Sequence, residues 1–319
     1  MGNAVPQVSP VPVTHMLASD LQRSNEYNFG RTHVNKRIDL AIRSNPTSEG
    51  RVHQGVTLLN DWLTATHTYP EKTARLAQLD TLHLEQLVRD IFINIAHCQT
   101  QELFVTVTAQ LAYIMGFADH RDAILTVAEI VSVLCNTDAF DINKESKYAS
   151  LTIQNKLYLP AELIDSINNC LYLPPMVCEP EDVQSNFECP HLTFNSPMIL
   201  GKNNTHAGDI CLDVVNIQNK VALQLNTAFL STVEEEPTNE LDTVEKLQQW
   251  KRFKVQSYNI YTMLVRQNNK FWLTHKYDKR GRQYAQGYHV TSQGSAFKKA
   301  MIELHTEELI TGAPNGKLS

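Results

Sequence analysis

The sequence predicts a mainly α protein with short β-strands, of the α+β class. Apolar residues recur at helical spacing through much of residues 50–170, and the same rhythm returns at 209–230 and 241–266. Residues 173–208 instead combine prolines with little periodicity, which predicts a long, ordered segment without regular secondary structure.

Three helices are predicted between residues 84 and 134, because their apolar residues are spaced three and four apart. These residues are Leu84, Leu87, Val88, Ile91 and Ile95; Leu103, Val107, Leu111 and Ile114; and Ile124, Val127, Val131 and Leu134. Asp119 is placed to cap the third helix, and Pro160 is placed to begin a further helix.

The first 50 residues are rich in proline, serine and asparagine, which predicts a loose arm with one short helix near residues 15–24. The arm carries basic residues that could contact a phosphate backbone or simply be solvated. They are Arg23, Arg31, Lys36, Arg37 and Arg43.

The two later helical segments, joined by the acidic link VEEEPTNELD, predict a helical hairpin. Its second helix is acidic at its start and basic further on, which suits the helix dipole. Beyond it, residues 271–273 and 285–290 predict short strands, and residues 295–309 predict a last helix.

Composition limits the class of protein. Of the 319 residues, 42% are hydrophobic, which is enough for one large domain or two to three smaller ones. No run of 18 apolar residues occurs, so no membrane span is predicted, and the six cysteines form no C-x-x-C pair, which is typical of cytoplasmic thiols. Cys178, Cys189 and His191 lack a fourth ligand, so no metal site is predicted in this chain.

Positive charge is concentrated near the C-terminus. The chain has a formal charge of −6, yet residues 246–299 contain twelve lysines and arginines and one acid, Asp278. Such polarity is typical of a protein with one surface that meets polyanions.

The stretch FWLTHKYDKRGRQYAQGY, residues 271–288, contains four of these cations and five aromatic residues. Arg280 and Arg282 flank a glycine, and two forked guanidinium groups so close together can bind neighbouring phosphates. Tyr277 and Tyr284 can stack on a ligand, and Asp278 is placed to orient an arginine. The alternative is a solvated basic turn.

Residues 271–284 resemble the D-x-x-G-R block of the single-subunit DNA-dependent RNA polymerases of bacteriophages and mitochondria. In that family an F-x-(F/L)-P-x-x-x-D-x-R-G-R-x-Y block is followed by a turn ending in glycine and then by a helix. The matching positions are Phe271, Leu273, Asp278, Arg280, Gly281, Arg282, Tyr284 and Gly294. Thr274 stands where the family usually has proline.

Upstream segments resemble the same family. Residues 173–177 (LPPMV) and 196–199 (SPMI) are similar to its L-P-M-V and P-L-V segments. Residues 215–226 are similar to its I-N-x-x-Q-x-T-x-W-x-I-N helix, although Asn219, Val221 and Leu223 replace the usual Gln, Thr and Trp. The resemblance spans about residues 173–312.

The resemblance implies a domain order. After the arm of residues 1–50, a helical N-terminal domain would cover 51–224 and include the irregular connector 173–208. A thumb-like helical hairpin would follow at 225–266, and the start of a polymerase palm at 267–319.

The resemblance also implies a role in holding template DNA and the RNA–DNA hybrid. Arg280 and Arg282 would hold the backbone, Gly281 would allow close approach, and Asp278 would fix the arginines. The full set of implied nucleic-acid contacts is Asp278, Lys279, Arg280, Gly281, Arg282 and Tyr284, with Lys246, Lys251, Arg252 and Lys254 of the thumb. A solvated helical face is the alternative for the last four.

In the family, the catalytic parts follow this block: a palm Asp, a fingers helix with R-x3-K and a downstream Tyr-Gly, and a His-Asp-Ser turn. This sequence has no His-Asp-Ser, no Tyr-Gly and no R-x3-K on a predicted helix, so no catalytic residue is predicted and the chain alone should be inactive. We therefore expect a split enzyme, a cytoplasmic heterodimer in which a larger second chain binds the Mg²⁺ ions. Phe297, Met301 and Leu304 are candidate contacts with that chain, a buried intramolecular contact being the alternative.

Template DNA and nascent RNA are the expected ligands, and a single-stranded-DNA-binding loading factor is a further candidate partner. Two other classes of function stay open. The chain could be a non-enzymatic nucleic-acid-binding module, such as a degenerate relative of the polymerases, or a scaffold of a nucleoprotein particle.

Overall fold

A computed structural model describes residues 17–144, 150–201 and 204–306. The chain divides into two compact units. Unit 1 comprises Met1–Gly30 and Tyr172–Ser319, and unit 2 comprises Arg31–Leu171. The chain therefore begins in unit 1, builds unit 2 and returns, whereas the sequence predicted boundaries at residues 50, 224 and 266.

The described residues are mainly helical, with short antiparallel strands in small sheets, and this confirms the predicted α+β class. The helices are α1 (Ala18–Phe29), α2 (Arg31–Ser44), α3 (Pro46–Thr64), α4 (Pro70–Ala77), α5 (Leu84–Ile95), α6 (Phe104–Leu111), α7 (His120–Leu134), α8 (Ala161–Asn169), α9 (Leu212–Asn219), α10 (Thr227–Thr232), α11 (Val244–Arg266) and α12 (Ala296–Ala300). The strands are β1 (Glu102–Leu103), β2 (Phe140–Lys144), β3 (Leu151–Asn155), β4 (Leu223–Leu225), β5 (Thr274–Tyr277), β6 (Gln283–Gln286) and β7 (Ile302–Leu304).

The core of unit 2 is formed by the apolar faces of its helices. The predicted periodicity is confirmed on α5, where Val88, Ile91 and Ile95 are fully buried, and on α7, where Val127 and Val131 are fully buried. The cap of α7 is also confirmed, because the carboxylate of Asp119 accepts hydrogen bonds from the first backbone N–H groups of that helix.

A polar network stabilises the same unit. The guanidinium of Arg89, on α5, is only 2% exposed and donates to the carboxylates of Glu49 and Glu85. The hydrogen bonds with Glu49 raise the pKa of Arg89, and those with Arg89 lower the pKa of Glu49. A buried charge without such partners would be strongly destabilising, so this network fixes the packing of α3 against α5.

Strands β1, β3 and β2 form an antiparallel sheet in that order. The register pairs Ile142 with Ile153, and Ile153 is fully buried. The sequence predicted that helices dominate residues 50–170 and did not predict these strands, because they are only two to five residues long and lack a sustained alternation of apolar and polar residues.

Unit 1 is organised around residues 271–277. Phe271 pairs with Leu223, Trp272 pairs with Met176, and Tyr277 pairs with Ile199, each through backbone hydrogen bonds. Strand β5 also pairs with β6. Around this extended segment lies an apolar core to which α11 contributes Ile260, Tyr261 and Leu264. These are three of the nine buried residues of this core; the others are Val177, Leu225, Phe271, Leu273, Val290 and Met301.

Helix α1 joins unit 1 through polar side chains. Gln22, Asn25 and Glu26 are buried. The amide of Gln22 accepts from the backbone N–H of Val177 at 2.9 Å, and the amide of Asn25 donates to that of Gln267, at the end of α11, at 2.9 Å. The helix thus ties the connector to α11.

Glu26 is the centre of this network and is fully buried. Its carboxylate accepts hydrogen bonds from the backbone N–H groups of Leu192 and Thr193, at 2.9 and 2.7 Å, and from Gln22 at 2.8 Å. Burial alone would raise the pKa of Glu26, but the hydrogen bonds from His191, Thr193, Gln22 and Leu192 lower it to about 2.

The structure corrects further predicted elements. The short helix predicted near residues 15–24 is confirmed in part by α1, but the loose arm was wrong for the residues that follow up to 50, which form α2 and the start of α3. Residues 1–16 lie outside the described residues. The continuous helix at 209–230 was wrong, because α9 ends at Asn219 and β4 follows, so the first arm of the predicted hairpin is not one helix. Its second arm, α11, is confirmed.

The helix predicted at 295–309 was also wrong in length. Helix α12 has five residues, and the chain then forms β7, which pairs antiparallel with β4. An apolar spacing of three or four cannot separate one long helix from a helical turn followed by a paired strand. Residues 307–319, including Gly312, lie outside the described residues.

No helix in residues 17–144, 150–201 and 204–306 combines the length and the apolar character that a membrane crossing requires.

We predict that Glu26→Gln destabilises the protein by about 3 kcal/mol at pH 7, which corresponds to the lowering of the pKa from 4.5 to about 2. Because the folded-state pKa is lowered, the stabilisation is present above pH 4.5 and is lost as the pH falls through about 2. Urea unfolding at pH 7 and at intervals below pH 4.5 should show the variant and the wild type converging in acid.

Asp20→Asn is the matched control, because Asp20 is an exposed acid on the same helix. It should change the unfolding free energy by well under half as much. Equal effects of the two substitutions would contradict the role assigned to the buried carboxylate.

Candidate nucleic-acid interface

The sequence DKRGR forms the tip of a β-hairpin. Strands β5 and β6 pair with Tyr277 opposite Gln283, and the five residues between them form what we call the basic turn, residues 278–282. The backbone N–H of Asp278 donates to the carbonyl of Arg282 at 2.8 Å, and the N–H of Gly281 donates to the carbonyl of Asp278 at 3.0 Å. The turn therefore has a defined backbone conformation.

The carboxylate of Asp278 holds both arginines of the turn. One oxygen accepts from the backbone N–H groups of Arg280 and Arg282, each at 2.9 Å. The other accepts from the Nε of Arg280 at 3.2 Å and the Nε of Arg282 at 2.8 Å. The backbone hydrogen bond from Arg282 lowers the pKa of Asp278, which therefore carries its charge at neutral pH.

Gly281 is required by the backbone of this turn. Its φ of +77° lies in the left-handed region that side chains other than glycine rarely adopt. A Cβ at this position would meet nothing within 4 Å. The left-handed conformation accounts for the glycine, and the space beside it is open.

The arginines remain accessible while they are held. The side chain of Arg280 is 72% exposed and that of Arg282 is 51% exposed, whereas that of Asp278 is 17% exposed. The guanidinium of Arg282 also lies 5.7 Å from the ring centre of Tyr284. The structure thus brings Asp278, Arg280, Gly281, Arg282 and Tyr284 together with exposed Lys279.

Lys276 does not face solvent with the others. Its ammonium donates to the hydroxyl of Ser196 at 2.6 Å and to the carbonyl of Pro197 at 2.8 Å, and burial lowers its pKa. This lysine anchors the connector segment 196–199 to the hairpin. Positive charge at this position has a structural role that charge counting cannot distinguish from ligand binding.

A cleft of about 470 Å³ opens beside the basic turn. Lys279 and Gly281 form part of one wall, and Tyr277, whose hydroxyl donates to the carbonyl of Cys211 at 3.0 Å, forms another part. His206 and Ile210 also line the cleft. Of the basic turn, Asp278, Lys279 and Gly281 line it, whereas Arg280 and Arg282 do not.

The four predicted thumb cations lie on α11 but not on one face. Successive residues of a helix point about 100° apart, so Lys251 and Arg252 diverge. Lys246 pairs with Asp242 at 2.6 Å and Lys254 pairs with Glu234 at 3.6 Å. Lys251 and Arg252 are exposed and make no ion pair with another described residue. Only these two are immediately available to a polyanion.

The three predicted contacts with a second chain have different environments. Met301 is fully buried in the core of unit 1, and the ring of Phe297 packs on that of Phe229 at 5.4 Å between centres. Both are intramolecular contacts, the alternative that the sequence left open. Leu304 alone of the three is exposed, at 61%, on strand β7.

The three residues considered as zinc ligands have other environments. His191 lies 3.4 Å from the carboxylate of Glu26, Cys189 donates to the carbonyl of Phe194 at 3.5 Å, and burial raises the pKa of Cys178 to about 11. The described residues contain no group of three or more His, Cys, Asp or Glu side chains arranged to hold a metal ion.

No family model matches the chain, and no curated protein matches it. The resemblance to the single-subunit RNA polymerases therefore stays a prediction.

Asp278→Asn should weaken binding of an RNA–DNA hybrid although it makes the chain less acidic. The Asn carbonyl can still accept from the two backbone N–H groups, but its NH₂ group would face the guanidinium groups that Asp278 now holds. Fluorescence anisotropy with a labelled hybrid should show at least severalfold weaker binding. Tighter binding would indicate a generic basic patch, since added positive charge alone strengthens attraction to phosphates.

Proposed function

We propose that this chain is a subunit of a DNA-directed RNA polymerase of the single-subunit type. It holds template DNA and the RNA–DNA hybrid, and a second chain supplies the carboxylates that bind the catalytic Mg²⁺ ions. The basic turn contacts the nucleic-acid backbone, and no residue of this sequence performs the chemistry.

The proposal rests mainly on the arrangement of Asp278 with Arg280 and Arg282. Two guanidinium groups are oriented by one carboxylate while more than half of each arginine side chain stays exposed. Arginine is suited to phosphate because its planar group donates in a fixed fork. Orientation before binding reduces the side-chain entropy that is lost when the ligand arrives.

The packing around residues 271–277 is a second observation that supports the resemblance. Each separate segment that resembles the polymerase family meets this strand. Met176 pairs with Trp272, Ile199 pairs with Tyr277, and the amide oxygen of Asn219, on α9, lies 3.0 Å from Nδ1 of His275 as a hydrogen-bond acceptor. Segments far apart in sequence thus form one structural element that ends in the basic turn.

Helix α11 supplies a second contact region in the proposal. With 23 residues it is about 34 Å long, and its first half lies outside the buried core. Lys251 and Arg252 would contact the hybrid backbone directly. Lys246 and Lys254 would do so only after leaving Asp242 and Glu234.

The non-enzymatic nucleic-acid-binding module is the second candidate function. The same basic turn supports it, since the observed geometry serves phosphate contact with or without catalysis. The two candidates differ in whether a second polypeptide is required for RNA synthesis.

Arg282→Ala should weaken hybrid binding. It should also reduce the slope of log K, the binding constant, against log salt concentration by about one, because one phosphate contact is lost. Arg266→Ala is the matched control: it removes an exposed arginine from the same unit, at the end of α11. Titrations of the full chain at several salt concentrations measure both quantities. Equal salt slopes for the two variants would exclude a specific contact by Arg282.

The purified chain should make no RNA on a primed template with Mg²⁺ and nucleotides. A complex isolated with this chain from its native cell should contain a larger polypeptide with a His-Asp-Ser turn and should make RNA. In that complex Arg282→Ala should abolish elongation without releasing the partner. RNA synthesis by the single chain would rule out the split enzyme, and isolation without such a partner would favour the binding module.

A further inference from the structure

Aromatic rings form a stack at the middle of α11. Trp250 and Phe253 lie one helical turn apart, with ring centres 5.2 Å apart and planes inclined by 23°. Phe253 stacks in turn on His289, at 5.5 Å and 27°. We call Trp250, Phe253 and His289 the ring ladder. Its three planes are close to parallel, which is the arrangement that nucleic-acid bases adopt among themselves.

A pair of tyrosines extends this aromatic surface. Tyr172 and Tyr288 stack at 3.8 Å and 15°, and each is 39% exposed. Tyr288 meets Phe253 edge-on at 5.6 Å. The ammonium of Lys298 lies 4.9 Å from the ring centre of Tyr288 and donates to its backbone carbonyl at 2.6 Å. Rings and a cation therefore form one continuous surface.

The ladder is held in place at its inner end. The hydroxyl of Ser257 lies 2.8 Å from Nδ1 of His289, and the hydroxyl of Tyr261 donates to the His289 carbonyl at 3.3 Å. Burial lowers the pKa of His289 to about 4, so its ring is neutral at pH 7. A neutral ring stacks without bringing a buried charge into the ladder.

The outer end of the ladder is only partly covered. Trp250 and Phe253 are half-buried, whereas Ile260 and Leu264, further along the same helix, are buried in the core. In the described part of the chain, Phe253 is the only ring that stacks on Trp250, and no cation lies over Trp250. Trp250 is therefore accessible in part to a ligand.

Cations accompany these rings. In the sequence Trp250-Lys251-Arg252-Phe253-Lys254, Lys254 lies four residues after Trp250 and shares its face of α11, whereas the exposed Lys251 and Arg252 point about 100° and 200° away from Trp250. Lys254 pairs with Glu234 at 3.6 Å, and its side chain is 35% exposed. Flat rings beside a positive charge suit a ligand that carries flat bases on a phosphate backbone.

We propose that the ring ladder binds unpaired bases of a single-stranded nucleic acid, with Trp250 stacking on a base. Inside a duplex both faces of every base are covered by its neighbours, so Trp250 can stack on an unpaired base but not on a base within a duplex. The site therefore differs in ligand from the basic turn, which meets the paired backbone of a hybrid, and it goes beyond the function proposed above.

The test uses the full chain and three labelled probes: a twelve-nucleotide oligo-dT, a twelve-nucleotide oligo-U and a twelve-base-pair RNA–DNA hybrid. Trp250→Ala should weaken binding of both single strands about five- to 150-fold, which is the effect of losing one base-stacking contact. Trp250→Phe should restore most of the affinity because it keeps a ring. Val255→Ala, at an exposed apolar residue of the same helix, is the matched control and should bind like the wild type.

Hybrid binding separates this site from the basic turn. Trp250→Ala should leave hybrid affinity unchanged, and Arg282→Ala should weaken hybrid binding but not single-strand binding. Indole fluorescence should be quenched by oligo-dT in the wild type and much less in Trp250→Phe. Tighter binding of oligo-dT would indicate that the ligand is a displaced DNA strand. Tighter binding of oligo-U would indicate that it is a transcript. Equal binding would indicate that the stacking does not depend on the sugar.

Unchanged single-strand affinity in Trp250→Ala would overturn the inference. An equal loss of affinity for single strands and hybrid would overturn it as well, since the ladder would then not select unpaired bases.

Discussion

Unit 1 depends on the buried carboxylate of Glu26. Helix α1 presents the polar residues Gln22, Asn25 and Glu26 to the interior of unit 1. A buried polar group that loses its hydrogen bonds destabilises a protein by about 1–3 kcal/mol, and a charged group by more. This face of α1 would therefore be destabilising without hydrogen-bond partners. The connector supplies those partners from residues 177 and 191–193, and α11 supplies Gln267. A helix that precedes unit 2 in the chain is thereby fixed to segments more than 140 residues further on.

The position of the basic turn follows from this constraint through a series of contacts. Gln22 holds the N–H of Val177, and the neighbouring residue Met176 pairs with Trp272. Residues 271–277 then continue into β5, and β5 with β6 carries the basic turn. Within the basic turn, Asp278 orients the side chains of Arg280 and Arg282. The arginines are thus exposed side chains on a hairpin that is anchored to the interior of unit 1, which is the combination that binding a stiff polyanion requires.

The sequence predicted those parts of the molecule whose cause is local. The periodicity of α5 and α7, the cap at Asp119 and the orientation of the arginines by Asp278 each depend on residues within a few positions of one another. The failures have long-range causes. Polar residues made the first 50 positions resemble a loose arm, because their partners, such as the Leu192 N–H for Glu26, are distant in sequence. The helix predicted at 295–309 is interrupted because β7 finds β4 as a partner. Lys276 was counted with the surface charge, although it is half-buried and its ammonium donates to Ser196 and Pro197.

The positive charge of residues 246–299 therefore divides into three groups. Lys270, Lys276 and Lys298 are half-buried, with Lys276 bound to the connector and Lys298 to the Tyr288 carbonyl and two rings. Lys246 and Lys254 are paired with acids. The other seven are exposed: Lys251, Arg252, Arg266, Lys279, Arg280, Arg282 and Lys299. In the proposed function, discrimination comes from guanidinium groups whose directions are set before the ligand arrives, and in the further inference it comes from rings that stack on unpaired bases. If the basic turn binds nucleic acid as proposed, the net charge of −6 limits indiscriminate attachment to polyanions, because the acids elsewhere in the chain repel them.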